Sequence, residues 1–164
     1  MKKLFMMIFL LLFFSACSNK TQEQSIINLK SQTLMYAQKI NFDYKNSRVV
    51  AVLNYLNPIL DEKSNKEIFI LSFIPDTKIN INKISVLIDG EQTKITNLNK
   101  NDELFKYIIK SDYATYYKIT LDKLVDKTIL ELNSCFENQC FELDFQKISK
   151  SVYYRSEDAN KPHN

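Results

Sequence analysis

The chain has 164 residues, with 22 Lys and Arg against 19 Asp and Glu and a formal net charge of +3. Its single glycine, Gly90, excludes Gly-rich phosphate loops and dinucleotide fingerprints, which need a backbone approach that side chains block. Its single histidine, His163, lies in the last residues of the sequence, so no histidine is placed as catalytic base or metal ligand.

Lys2 and Lys3 precede an unbroken apolar run, Leu4 to Phe14, followed by Ser15-Ala16-Cys17-Ser18. A positive start and a run of this length form the pattern of an export signal. A bilayer span needs roughly 20 apolar residues, so the run is too short for one. Ordinary signal cleavage after Ala16 would put bulky Phe14 where a small residue is wanted. Phe14-Ser15-Ala16-Cys17 instead resembles the lipobox of bacterial lipoproteins, with Phe14 where that family usually has Leu. The resemblance covers only the first 17 or so residues. It implies diacylglyceryl transfer to the Cys17 thiol, cleavage before Cys17, acylation of the new amine and a place in the cell envelope. Each buried acyl methylene contributes about 0.8 kcal/mol, so several chains anchor firmly where one would not. Ser18, where enteric members retained in the inner membrane have Asp, implies the outer membrane.

Removing residues 1–16 takes Lys2 and Lys3 away and leaves a nearly neutral chain. Arg48 and Arg155 are the only arginines, which argues against a phosphate-recognition surface and against nucleic acid as a partner. The expected organisation is a signal peptide (1–16), a lipidated Cys17 with a polar tether (17–30), a single β-domain (31–150) and a loose tail (151–164). Asn19-Lys20-Thr21 matches a glycosylation sequon, which a polar tether contains by chance, and Ser25 to Lys30 reads as a short helix.

From Leu34 the apolar period is two: Leu34, Tyr36, Ile40, Phe42 and Tyr44 share a face, with Gln38 the exception. Arg48 to Leu56 is apolar on both faces and reads as a central strand, and after the charged loop Asp61 to Lys66, Ile68 to Ile74 reads as another strongly apolar strand, closed by Pro75-Asp76. Ile84 to Ile88, Asp89-Gly90 and Glu91 to Leu98 read as a hairpin whose two-residue turn uses the glycine. Phe105, Tyr107 and Ile109 alternate, as do Tyr117, Ile119 and Leu121, and both read as strands.

Cys17 is committed to lipid, which leaves Cys135 and Cys140, expected to form a disulfide in an oxidising compartment. Pairing them and reading outward sets Ser134 opposite Phe141, Leu132 opposite Leu143 and Leu130 opposite Phe145 on one face. Glu131, Asn133, Glu142 and Asp144 fall with the cysteines on the other, a separation that a one-residue slip would scramble. Short strands with turn signals and no long amphipathic helix predict an all-β fold: an antiparallel β-sandwich of immunoglobulin-like architecture, with a small closed barrel as the alternative.

The chemistry-bearing candidates are few. Carboxylate pairs occur at Asp61-Glu62, Asp102-Glu103, Glu157-Asp158 and, through the hairpin, Glu131/Asp144. They keep open a carboxylate-dependent hydrolase, and Glu131, Glu142 and Asp144 a weak divalent-ion site. Tyr113, Tyr116 and Tyr117, with Tyr153 and Tyr154, suggest a binding patch, set against ordinary strand packing. The leading expectation is a non-enzymatic, cofactor-free envelope lipoprotein, held to the membrane through lipid on Cys17 and binding an envelope or host protein. Carriage of a small ligand or lipid inside the sandwich is a further alternative.

Overall fold

The computed structural model describes residues 18–77, 79–99 and 101–148. Cys17, the tail 151–164 with Tyr153 and Tyr154, the Glu157-Asp158 pair and His163 lie outside the described residues. Among the described residues a helix, α1 (Ser18–Leu34), precedes nine strands: β1 (Ala37–Tyr44), β2 (Ser47–Tyr55), β3 (Glu67–Ile74), β4 (Ile84–Ile88), β5 (Glu91–Gln92), β6 (Lys94–Asn97), β7 (Thr115–Leu121), β8 (Ile129–Phe136) and β9 (Gln139–Gln146). They form two antiparallel sheets, in the orders β1-β2-β3-β7-β6 and β5-β4-β8-β9. The fold is thus an all-β sandwich, and the sheets do not close into a barrel.

Alternation decides which side chains meet between the sheets. Val49, Ala51, Leu53 and Tyr55 of β2 and Phe69, Leu71 and Phe73 of β3 face Leu130, Leu132 and Phe136 of β8 and Phe145 of β9. Phe136 stacks against Phe42 at 5.3 Å and edge-on to Phe73 at 5.0 Å. Rings therefore fill this part of the space between the sheets. Gln38 breaks the apolar alternation of β1 because it sits at the sheet edge, where its Nε2 donates to Asp144 O of β9 at 2.5 Å. With Gln139 Nε2 donating to Asp43 O at 2.7 Å, it laces β1 to β9 along one side of the sandwich.

The β8–β9 register pairs Cys135 with Cys140, Asn133 with Glu142, Leu132 with Leu143 and Glu131 with Asp144, as the alternation required. A disulfide joins Cys135 and Cys140. Asp89 and Gly90 take positive φ, 49° and 80°, as a two-residue turn between twisted strands demands.

Three expectations need correction. The strand after Gly90 does not run unbroken to Leu98: β5 pairs with β4, whereas β6 pairs with β7 in the other sheet. Thr93, between them, donates from N and from Oγ1 to Val86 O, pinning the crossover. Residues 105–109 are not a strand. Asp102 caps a 3-10 turn, Glu103–Lys106, by accepting from Leu104 N, which ends any extended run there. The polar stretch read as a tether is helical through Leu34, so the first strand starts at Ala37.

That helix belongs to a third layer. The outward side chains of β3 and β7, Ile70 and Tyr116, are buried with Leu56, Ile59, Leu98, Tyr107 and Ile108, and Leu29 of α1 packs against them. This explains why β3, with Ile68 and Ile70 outward, is apolar on both faces.

Candidate binding site

The third layer contains a cleft of about 390 Å³ between the loop before β3 and the turn Glu103–Lys106. Its size falls within the range of small-ligand and side-chain pockets. Leu60, Ile68, Leu104 and Tyr107 give it an apolar floor; Asp61, Glu62, Lys63, Glu103 and Lys106 form the rim. Local hydrogen bonds shape both walls. Asn57 donates from Nδ2 to Lys66 O at 2.7 Å and accepts from Ile68 N at 2.8 Å, closing the loop at its base. Pro58, inside the preceding 3-10 turn, fits a first-turn position whose N–H needs no partner.

A clamp holds the walls together. Asp61 Oδ2 accepts from Lys106 Nζ at 2.6 Å and from the Tyr107 hydroxyl at 3.0 Å. The same hydroxyl accepts from Asp61 N at 3.3 Å. Lys106 also lies 4.8 Å from the centre of the Tyr107 ring, a cation–π contact. The Lys106 ammonium, then the Tyr107 hydroxyl, hold the Asp61 carboxyl below its usual range. Asp61, then Tyr107, hold Lys106 above its own. Both groups therefore stay charged around neutrality, which suits positioning and not proton transfer.

A second constellation sits at the sandwich end. Glu67 is fully buried, and its carboxylate is saturated: Oε2 accepts from Tyr55 OH at 2.7 Å, and Oε1 accepts from Val125 N at 2.9 Å and Lys147 Nζ at 2.6 Å. Lys147 Nζ also donates to Val125 O. Burial and the Glu67 carboxylate push the Tyr55 hydroxyl far above its ordinary pKa. Sequence reasoning missed Glu67 because it adjoins the charged loop. A usable signal existed: Glu67 shares the odd-numbered phase of Phe69, Leu71 and Phe73, the inward residues of β3.

The described tyrosines of the proposed patch, Tyr113, Tyr116 and Tyr117, do not share a surface. Tyr117 is buried between the sheets and donates to Ile79 O at 3.0 Å. Tyr116, on the opposite face, is buried against Phe105 at 5.0 Å. Of these three, only Tyr113 is exposed, at 78%. Successive residues of one strand point to opposite faces, so Tyr116 and Tyr117 cannot line one patch. Glu131, Glu142 and Asp144 are exposed on the outer face of the second sheet. Among the described residues no group of acidic, cysteine or histidine side chains could hold a metal ion. Asp61-Glu62 and Glu103 meet across the cleft, although the sequence separates them by forty residues. No protein-family model matches this chain, and neither a curated protein nor a solved structure is detectably similar to it.

Proposed function

We propose that this protein is a lipid-anchored envelope lipoprotein whose β-sandwich presents a preformed cleft to a protein partner. Its anchor is Cys17, in the lipobox-like stretch Phe14-Ser15-Ala16-Cys17, and its domain follows directly through α1. The observation that carries the binding role is the cleft itself, with an apolar floor and a charged rim held in place by the Asp61–Lys106–Tyr107 clamp. A clamp formed before the partner arrives removes ordering cost from binding.

Two features favour binding over hydrolysis or carriage. The Asp61 carboxylate is tied up in the clamp, and the fully buried Glu67 carboxylate has a donor on each oxygen. Aromatic rings fill part of the space between the sheets, which leaves the exposed cleft as the better receptor.

Photo-crosslinking from Glu62 or Glu103, replaced by a photoreactive residue in intact cells, tests the reading. One protein species should be captured from both positions and be lost when Leu104 is replaced by Asp. Equal capture from the remote exposed site Asn133 would count against the cleft.

A further inference from the structure

The way α1 is held differs from the way the strands are held. Its sequence is rich in Ser, Asn, Thr and Gln, with no acidic residue in the first turn and no basic residue in the last to offset the helix dipole. A helix of this length and composition is marginal in water on its own, so docking must maintain it. The docking face is narrow. Ile26 and Leu29 are half-buried, and Thr33 is buried, its Oγ1 2.9 Å from Leu29 O and 2.5 Å from Tyr107 O. Ile27 and Leu34, two of its four apolar residues, are 55% exposed.

The attachment also stops sharply. Tyr36 packs against both the inter-sheet core and the third layer, and its carbonyl accepts from Tyr55 N at 3.0 Å. Among the described side chains of α1 none belongs to the inter-sheet core, and Leu56, Ile70 and Tyr116 keep cover from Leu98, Phe105, Tyr107 and Ile108. Lifting the helix would thus break the Thr33–Tyr107 bond, the Leu29 contact and its approach to the outside of β2 and to the turn Asn57–Ile59, while leaving the inter-sheet core closed.

We propose that α1 is a releasable strap, hinged just before Tyr36, that docks through Leu29 and Thr33 and lifts without unfolding the two sheets. One consequence rests on the Cys17 anchor proposed above. Docked as a helix, residues 18–34 span about 26 Å; released and extended, they reach up to about 60 Å. Release would then more than double the distance from the bilayer at which the domain can meet a partner.

Hydrogen exchange read by mass spectrometry tests the strap, on the detergent-extracted full chain and on the same chain carrying Cys17→Ser. Amides of residues 23–33 should exchange on the order of a hundred-fold faster than those of β3 and β8 in both forms, as separate cooperative units do. Thr33→Val, which keeps the shape and removes the donor, should widen the gap roughly tenfold, the worth of one buried hydrogen bond, and leave β3 and β8 unchanged. Equal exchange of α1 and the strands in the unsubstituted chain, or equal acceleration of both by Thr33→Val, would overturn the proposal. Because the Cys17→Ser chain gives the same readout, failure of lipidation and failure of the strap are told apart.

Discussion

Glu67 and Lys147 join the two sheets at one end of the sandwich: Lys147 Nζ donates to Glu67 Oε1 at 2.6 Å, linking the first residue of β3 to the residue after β9. Removing one partner of a buried pair strands the other's charge, at a cost of about 3–5 kcal/mol. The Lys147 side chain is 21% exposed, so Lys147→Met should fall at or just under the lower end of that range. Urea unfolding should show it as a lower midpoint with an unchanged slope. Tyr55→Phe removes only the donor to Oε2 and should cost about 1–3 kcal/mol.

The cleft clamp should be insensitive to pH around neutrality and fail in acid. The Asp61 carboxyl is depressed by Lys106 and Tyr107 in the folded chain, so its stabilising effect is complete above the unfolded value and is lost as pH falls through the folded one. Lys106 is raised, so its contribution is complete below its ordinary value and disappears only in strong alkali. Carbon-detected NMR titration should place Asp61 below 3.8, its usual value. Lys106→Met should move it back up; no movement would mean that the ion pair is not formed in solution.

The disulfide should staple the β8–β9 hairpin without setting its register. A loop this short gains about 2 kcal/mol from cross-linking. Replacing Cys135 and Cys140 by Ser should therefore lower stability by about that amount. Nuclear Overhauser contacts between Leu132 and Leu143 and between Leu130 and Phe145, which pair in the native sheet, should survive. Their loss would show that the cross-link, and not the alternation, sets the pairing.

Tyr113 and Tyr117 should respond oppositely to substitution. Tyr113→Ala, at an exposed site, should leave stability within about 0.5 kcal/mol. Tyr117→Phe leaves Ile79 O without its donor and should cost about 1 kcal/mol. Burial, then the Asp76 charge, raises the Tyr117 hydroxyl, so its ultraviolet titration should come later than that of a free tyrosine.

Legibility in the sequence followed the range of the interactions. The cysteine hairpin could be read residue by residue because a period of two on adjacent strands admits one register, and the β8–β9 pairing follows it. The sandwich and its central strands were readable for the same reason. The crossover at Thr93 was not, because Glu91 to Leu98 alternates equally well in one sheet or in two. Alternation at Phe105, Tyr107 and Ile109 misled because a capping aspartate outweighed it. The cleft and the Glu67 cluster depend on partners 45 and 80 residues apart, beyond any local pattern. Helix α1 was legible only as the short segment Ser25 to Lys30, because tertiary contacts at Leu29 and Thr33, and not composition, hold its full length in place.

Mass spectrometry of the amino-terminal peptide from the membrane fraction tests the central claim of a lipid-anchored module most directly. The chain should begin at Cys17 and carry the added mass of a diacylglyceryl group with or without an amide-linked acyl chain, and Cys17→Ser should abolish both the added mass and membrane retention. An unmodified Cys17 thiol on a chain that partitions with the soluble fraction would contradict it.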